Sequence, residues 1–450
     1  MLQYRPMPMY STTNPPAALT AERYEARCAA LKAAAGCDWV VVYGDREHSA
    51  DLTFLTNFDP RFEEAILVLG PTNAFIVGNE GVGYVSMLGP KLEVHLSQSL
   101  GLMGQDRTQF PRLSAVLRTI GLSAGQRVGV VGWKYLEPVE QDDNEPAYVP
   151  AMLLRAIRAA CTGDVVIRDV TYCMTHPTHG LRSNNDAAQI AVFAWGAQRA
   201  AMSVDRIVRG ARAGMSEHQA AALMQYEGDP MSCHMMMSGS QTYVVGLRSP
   251  STRVLQTRDA VTTAVGFRGG LCCRAGVLAA TVDASYLDTY VAPYMRTQKA
   301  WYEALQVGVS GGDIHAIVMQ SLAGAPFTPA LNPGHLGSVD EWCHTPIRPG
   351  SADPIRSGML IQCDIIPSQT PAGTALNCED TVAIADAPLR AAIAAHDPEL
   401  WNVIQARRDY LRDAIGITLA AEVLPLSMAN ARYAPGWLQP DVVWVLEINR

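Results

Sequence analysis

Three segments in the last third of the chain decide the architecture: GHLGSVDEW at residues 334–342, GMLIQCDIIP at 358–367 and LNCEDTVAI at 376–384. The second and third are short apolar runs interrupted by polar residues, which is typical of buried β-strands. Successive side chains of a strand point to opposite faces of a sheet, so Asp364 and Gln362 share one face. The segments therefore predict a sheet with acid and amide groups on one side.

The same alternation extends this predicted polar face to two neighbouring strands. Asn377 shares a face with Glu379 in the third segment, and Cys273 shares one with Ala275 in LCCRAGV at 271–277. His335 lies in a glycine-rich turn, which we expect to cover the face. The predicted wall therefore mixes one histidine with carboxylates, amides, a thiol and a methyl group.

The rest of the chain predicts a two-domain protein of the α+β class. Its 450 residues are 48% hydrophobic and 17% charged, enough for a sizeable core. Residues 1–20 are rich in Pro, Ser, Thr and Met and predict an extended arm, either loose or lying on another subunit. Apolar strands alternate with helices over 21–177, which predicts an α/β domain. Residues 178–450 begin with long helices and continue with strands, which predicts a second domain.

Two upstream segments complete an ordered set of motifs. They are SADLTFLTNFDPRFEEAILVL at 49–69 and SPSTRVLQTRDAVTTAVGF at 249–267. Together with the late segments, they resemble creatinase, prolidase and aminopeptidase P over about residues 21–390. Each motif is weak alone, but their order and spacing make the resemblance specific. It implies an N-terminal creatinase-like α/β domain and a C-terminal pita-bread fold, with a curved antiparallel sheet covered by helices.

The resemblance also implies where a pair of metal ions would bind in the peptidases of this family. Their two aspartate ligands fall on Ala264 and Ala275, and their histidine falls on His335. Their two glutamates fall on Asp364 and Glu379. Two close ions need bridging carboxylates to offset their repulsion, so we expect no metal cofactor. If any ion binds, His335, Asp364 and Glu379 are the expected ligands.

Creatinase is the family's example of C–N hydrolysis by a histidine and carboxylates without a metal. The first hypothesis is therefore a creatinase-like, metal-independent hydrolase of a C–N bond in a small, polar, amino-acid-derived compound. Asp364 or Glu379 would orient or activate water, and His335 would move the proton. The position of the creatinase histidine falls on Leu247 or Arg248, so its mechanism cannot be transferred intact.

Substrate-binding candidates come from the predicted wall, from its neighbours and from three arginines that could bind a carboxylate. They are Cys273, Gln362, Asn377, Glu341, His344, Arg61, Arg248 and Arg274. His344 and, more weakly, His234 are also alternative bases.

Each candidate role has a structural alternative that the sequence leaves open. Arg274 could form a salt bridge with Asp364 or Glu379 instead of binding substrate. Cys273 can act as a nucleophile only with a base beside it, and a packing role in the core is the simpler interpretation. Arg61 lies in a loop that in creatinase reaches the partner subunit's site, but it could equally be a charged surface residue.

Two other functions stay open at this stage. One is an Xaa-Pro aminopeptidase or dipeptidase with a degraded or single-metal site. The other is a non-catalytic protein of this fold that binds a ligand or a peptide. Finding metal in the purified protein would favour the first, and stabilisation by a ligand without turnover would favour the second.

Charge and hydropathy limit the partners. A net charge of −8 and a pI near 5.7 argue against nucleic-acid binding. No apolar run is long enough to cross a membrane, and ten scattered cysteines form no CxxC pair, so we expect a cytoplasmic, reduced protein. The resemblance implies a homodimer in which the N-terminal domain lies near the partner's site. The other expected partner is a small-molecule substrate.

Overall fold

A computed structural model describes residues 1–8, 10–135, 137, 147–244 and 246–447. The chain divides into two units. Residues 18–183 form one of them, and residues 1–17 join those from 184 onward in the other.

The strands, in chain order, are β1 (Leu2–Tyr4), β2 (Trp39–Gly44), β3 (Ala65–Leu69), β4 (Ala74–Val77), β5 (Glu93–Leu96), β6 (Gln126–Val131), β7 (Val165–Asp169), β8 (Met236–Ser240), β9 (Ala260–Phe267), β10 (Gly270–Val277), β11 (His335–Leu336), β12 (Leu360–Cys363), β13 (Asn377–Ile384), β14 (Val423–Pro425) and β15 (Val442–Trp444).

The helices are α1 (Ala21–Ala35), α2 (Ala50–Thr56), α3 (Leu113–Ile120), α4 (Ala151–Ala160), α5 (Tyr172–Thr175), α6 (Ala187–Gly210), α7 (Glu217–Ala222), α8 (Ala284–Tyr286), α9 (Ala292–Ala304), α10 (Gly311–Ser321), α11 (Ala387–His396) and α12 (Pro398–Tyr410). A π-helical turn at Leu287–Val291 joins α8 to α9, and another at Leu411–Ile415 follows α12.

The N-terminal unit contains the predicted α/β arrangement. Its six strands have the order β5-β4-β3-β2-β6-β7, with β2, β6 and β7 parallel and β2, β3 and β4 antiparallel. The residues of β2, β3 and β4 are all buried. Their continuous Val, Ile and Leu runs are those expected of strands covered on both faces.

The C-terminal unit is built on a curved antiparallel sheet, as predicted. Its order is β11-β12-β13-β10-β9-β8, and β14 also pairs with β13. Helix α6 packs across β9 and β10. The two backbones come so close that a Cβ at Gly196 would stand 2.0 Å from the carbonyl oxygen of Arg268. Glycine is needed there because any side chain would push the helix off the sheet.

Side chains cap the first turns of helix α6 and helix α7. Asp186 accepts a hydrogen bond from the backbone N–H of Gln189. Ser216 and Gln219 form a reciprocal capping box at the start of α7. These side chains satisfy N–H groups that lack partners within a helix.

The N-terminal arm lies on its own C-terminal unit, which corrects the expectation of a loose or partner-bound segment. Strand β1 pairs with β15 in antiparallel register. Further along, the N–H of Thr12 donates to the side chain of Gln198 at 2.9 Å, and Arg407 donates to the carbonyl of Tyr10 at 3.0 Å. These contacts are hundreds of residues apart in sequence, so local composition could not reveal them.

The last fifty residues, which showed little pattern in sequence, are mostly buried. Residues 423–434 are buried throughout, and β14 extends the main sheet at β13. Strands of three residues are too short to show a period, and their partners are remote. Among the described residues, no helix is long and apolar enough to span a membrane.

Candidate active site

The main sheet has one face covered by α6 and an opposite face, here called the inner wall, that carries the candidate site. Strand register lines up Met236, Ala264, Cys273 and Glu379 as direct neighbours across β8, β9, β10 and β13. Side chains of directly paired residues project to the same side of a sheet. This row therefore runs from a methionine at one end to a carboxylate at the other.

A second row crosses the same wall two residues away. It contains Ser238, Thr262, Ala275 and Asn377. The amide of Asn377 donates to the sulfur of Cys273 at 3.3 Å and so links the two rows. The side chains that alternation predicts on one face are thus together on the inner wall.

His335 and three carboxylates form an acid cluster at the charged end of the inner wall. The Nε2 atom of His335 lies 2.9 Å from Oε1 of Glu341. It lies 3.9 Å from Oδ2 of Asp364 and 3.9 Å from Oε1 of Glu379. His335 is fully buried, while Asp364 and Glu379 are each 4% exposed.

Two polar atoms of the acid cluster remain without a well-formed hydrogen bond among the described residues. They are Nε2 of His335, despite its short distance to Glu341, and Oδ1 of Asp364. Buried polar atoms are almost always paired with protein, water or ligand. The acid cluster therefore has capacity left for a bound water, ligand or ion.

Local backbone geometry brings His335 to this place. Gly334 has φ of +128°, and a Cβ there would lie 2.9 Å from the carbonyl oxygen of Gln362 on β12. Glycine at 334 therefore lets β11 approach β12 closely enough for pairing of His335 with Gln362.

The loop after β11 fixes the orientation of the His335 ring. The indole of Trp342 stacks on it with ring centroids 4.2 Å apart and planes 20° from parallel. The N–H of Leu336 donates to the carbonyl of His344, and the N–H of Cys343 donates back to Leu336. This narrow loop places Glu341 and Trp342 against the same histidine.

Gln362 connects the acid cluster to the sheet. Its Nε2 donates to the carbonyl of Leu271 at 2.9 Å and to Oε1 of Glu379 at 3.4 Å. The hydroxyl of Thr381 donates to its Oε1. Gln362 thus orients Glu379 and leaves Asp364 as the less constrained carboxylate.

Burial and mutual charge shift the pKa values of the acid cluster strongly. Burial raises the pKa of Asp364 to about 7, although the charge of His335 opposes the shift. Burial, and then the charge of Asp364, raise the pKa of Glu379 well above its ordinary value. Burial lowers the pKa of His335, but the carboxylates, Glu341 first, outweigh it and raise that pKa well above its usual range. Proton sharing within the cluster follows from these opposing effects.

Cys273 is a buried thiol in this setting. Burial, and then the charge of Glu379, raise its pKa well above the ordinary value. A nucleophilic cysteine needs a lowered pKa, so the geometry favours the packing role over the nucleophilic one.

The inner wall does not fit the metal pair of the peptidases. Ala264 packs with Met236, Leu271 and Cys273 in a buried apolar cluster. Ala275 packs with Ala260 and Ala375 in a second one. The two positions that would supply bridging carboxylates therefore offer only methyl groups, and a second cation would lie there without compensating charge.

One ion is compatible with the remaining donors. One donor atom each from His335, Asp364 and Glu379 lie within 4.8 Å of one another. A histidine with two carboxylates is a reasonable ligand set for a single transition metal. The donor chemistry therefore separates two cases: a pair of ions does not fit, and one ion does.

The predicted role of Arg274 in substrate binding is wrong, and so is its suggested salt bridge with Asp364 or Glu379. Its side chain lies on the α6 side of the sheet, where Nη2 donates to both oxygens of Asp380 at 2.8 and 3.0 Å. Backbone carbonyls, such as that of Ala429 at 2.7 Å, accept its other hydrogen bonds. Strand alternation already implied this, because Arg274 lies between the inward-facing Cys273 and Ala275.

The other predicted arginines have partners as well. Arg248 donates to the buried carboxylate of Glu217 at 2.6 Å, which compensates its charge and argues against the predicted substrate role. Arg61 is exposed in the N-terminal unit and pairs with Asp59 at 2.8 Å. Its contribution to a partner's site stays a prediction.

The alternative bases lie in loops. His344 follows Glu341 and accepts at Nδ1 from the N–H of Thr345 at 2.8 Å. His234 is exposed, with its Nε2 2.8 Å from the carbonyl oxygen of Leu247. Neither is buried as His335 is.

Sequence reasoning missed several residues of this site, among them Thr262, Thr381 and Trp342. Thr262 and Thr381 follow from the alternation already used for Ala264 and Glu379, so the signal was present. Trp342 could not have been found this way, because its stacking depends on the path of a loop.

Comparison with known proteins agrees with the predicted resemblance. Residues 195–386 match the model of metallopeptidase family M24. No curated protein was found to match the sequence.

Similar solved structures share the fold over most of both chains. The prolidase from Pyrococcus horikoshii OT3 superposes with a TM-score of 0.62 and 13% identity, covering 81% of this chain and 95% of that one. Dipeptidase PepE from Mycobacterium ulcerans gives 0.59 and 19%, covering 82% and 95%. The X-Pro aminopeptidase from Thermotoga maritima MSB8 gives 0.60 and 15%, covering 81% and 95%. At these identities the likeness establishes the fold and leaves the reaction open.

Proposed function

We propose that this chain, a member of the creatinase, prolidase and aminopeptidase P-like family with an M24 domain at residues 195–386, hydrolyses a C–N bond in a small molecule without a dinuclear metal centre. One observation carries the proposal. Four titratable groups converge at one end of the inner wall, while methyl groups replace the carboxylates expected at the other. Hydrolysis would then depend on the acid cluster alone.

Asp364 is the group best placed to activate water. Its Oδ1 has no hydrogen-bond partner among the described residues and can accept a proton from a bound water. Its pKa near 7 is in the range in which a general base works at neutral pH. As the water oxygen bonds to the substrate carbon, its proton passes to Asp364.

His335 is the corresponding acid. Its Nε2 lies 3.9 Å from the carboxylates of both Asp364 and Glu379, so it can face the same reacting group. When the C–N bond breaks, the proton on Nε2 of His335 goes to the leaving nitrogen. The proton on Asp364 then passes to Nε2, so that both groups regain their starting protonation. Glu341 and Trp342 hold the ring during both transfers.

The proposal is tested by ammonia or amine release from a panel of small amides, amidines and ureas, with and without chelator. We expect turnover that chelator leaves unchanged. Turnover that chelator abolishes and added metal restores would overturn the metal-independent mechanism.

The three close donor atoms favour a second candidate, an Xaa-Pro peptidase with one metal ion. This candidate predicts about one equivalent of bound metal per chain and cleavage of Xaa-Pro dipeptides only in its presence. Elemental analysis of protein purified without added metal separates it from the first proposal.

The homodimer implied by the resemblance remains a proposal as well. Sedimentation velocity should give about twice the 48.6 kDa chain mass. If Arg61 reaches a partner's site, Arg61→Ala should raise KM without changing that mass, whereas an unchanged KM would make it a surface residue.

A further inference from the structure

We infer that the β8–β10 half of the inner wall is an apolar subsite, and that the substrate carries an uncharged aliphatic group that occupies it. This inference rests on the proposed function, because it assumes that the scissile C–N group lies at the acid cluster. It places the aliphatic group of the substrate at the positions where the resemblance to the peptidases implies metal ligands.

The side chains of this half are small or apolar. One buried cluster contains Met236, Ala264, Leu271 and Cys273. The next row adds Ala275, which packs with Ala260 and Ala375. Serine and threonine are the only polar residues at inward positions of β8, β9 and β10, and none of these positions is charged.

The inward side chains of β8, β9 and β10 are buried but keep slight contact with solvent. Met236 and Cys273 each keep 6% exposure, and Ala264 keeps 3%. Val261 and Val265, which point toward α6 from β9, keep none. On β9, residual exposure is therefore found on the inward side.

The polarity of the wall changes abruptly within one row. Cys273 is the direct neighbour of Glu379 across the β10–β13 pair, and Met236 is two strands further away. A substrate bound with its C–N group at Glu379 and Asp364 therefore projects its adjoining group over Cys273 and Ala264.

Charge determines which groups this subsite accepts. An anionic substituent there would lose its hydration without gaining a partner. An aliphatic substituent would replace water on an apolar surface, which is favourable. The subsite therefore selects an uncharged alkyl group against a carboxylate of the same shape.

A matched pair of probes tests this selection directly. Succinamate and 4-methylpentanamide have the same chain length and branching, but the first ends in a carboxylate and the second in an isopropyl group. Ligand-observed NMR should show 4-methylpentanamide binding at least about tenfold more tightly than succinamate or acetamide. Equal affinities, or tighter binding of succinamate, would overturn the inference.

Two substitutions should move the preference in opposite directions. Ala264→Val narrows the subsite and should weaken 4-methylpentanamide binding about tenfold while leaving acetamide unchanged. Met236→Ala enlarges it and should favour longer amides. Met237 lies on the α6 side, so Met237→Leu should leave the affinities for 4-methylpentanamide and acetamide unchanged. If Ala264→Val fails to fold, Met236→Ala alone decides, and an unchanged chain-length preference would contradict the subsite.

The outcome for binding is distinguishable from the outcome for catalysis. Selective binding of 4-methylpentanamide without product would support the subsite and overturn the proposed hydrolase. Hydrolysis of succinamate and acetamide at rates equal to that of 4-methylpentanamide would leave the hydrolase standing and overturn the subsite.

Discussion

Glu379 and Asp380 are adjacent residues of one strand, yet their carboxylates lie in opposite kinds of surroundings. Asp380 accepts from Arg274 at both oxygens and from the N–H of Ala431 at 3.0 Å, on the side covered by α6. Glu379 faces the inner wall, where it accepts one hydrogen bond at 3.4 Å from Gln362 and lies near another carboxylate. A buried acid with a full set of donors stabilises a fold, whereas incompletely paired acids mark a site.

The largest expected effect is the loss of turnover when an acid of the inner wall is replaced. Asp364→Asn removes the proposed base while keeping the shape of the side chain, so turnover should fall roughly 10²–10⁴-fold. Steady-state kinetics on the best amide of the panel measure the change. Asp380→Asn is the matched control on the α6 side of the sheet, and the folded fraction of this variant should keep near-normal turnover. A fully active Asp364→Asn enzyme would contradict the assignment.

For the Arg274–Asp380 pair on the α6 side of the sheet, the expected effect is on the free energy of unfolding. Arg274→Met leaves the buried Asp380 without its partner, and breaking such a pair costs about 3–5 kcal/mol. Urea denaturation followed by circular dichroism measures the free energy of unfolding. Replacing both residues, as in Arg274→Met with Asp380→Leu, should recover much of the loss because no buried charge is then left unpaired. A stable single variant would show that the pair is not structural.

The free energy of unfolding should also fall as the pH rises, because of the buried titratable groups of the acid cluster. The folded-state pKa of Asp364 is about 7 and its ordinary value is 3.8, so between these values the folded protein holds a proton that the unfolded chain has lost. Stability therefore decreases as pH rises through this window, by about 4 kcal/mol. His335 acts in the same direction, because its raised pKa gives stabilisation that is complete below about pH 6.5 and is lost through the folded pKa.

The pH prediction is checked by urea midpoints of metal-free protein between pH 4.5 and 7.5. Asp364→Asn should flatten the profile over this range, whereas Glu47→Gln, at an exposed residue of the N-terminal unit, should leave it unchanged. A wild-type stability that rises from pH 4.5 to 7 would show that the carboxylates are ionised and stabilising.

A smaller effect is expected for Trp342, which stacks on His335 and is 41% exposed. Trp342→Ala should lower kcat about fivefold with a smaller change in KM, because aromatic stacking contributes about 1 kcal/mol to holding the His335 ring in place. Trp342→Phe should recover most of the activity. An unchanged kcat in the alanine variant would mean that Glu341 alone orients the histidine.

Much of the fold follows from the sequence because its signals are local. The apolar runs of β2 and β3, the cap at Asp186 and the strands around Asp364 and Glu379 need only nearest neighbours for their recognition. The arm and the tail escaped prediction because β1 and β15 pair across the whole chain. Their stability comes from contacts that no sequence window contains.

The site was predictable to the extent that alternation determines which side chains share a face. It placed Gln362 with Asp364 and Asn377 with Glu379, and the same rule excluded Arg274, although that consequence was not drawn. The stacking of Trp342 and the short distance from Glu341 to His335 depend on loop conformation. No spacing in the sequence encodes either contact.

Metal titration measures whether apolar side chains at positions 264 and 275 prevent the binding of two ions. Isothermal titration and elemental analysis should find at most one equivalent of metal in the wild-type protein. The double variant Ala264→Asp with Ala275→Asp should show greater uptake, approaching two equivalents if it folds. Two tightly held equivalents per chain in the wild type would show that the methyl groups at 264 and 275 do not exclude a second ion.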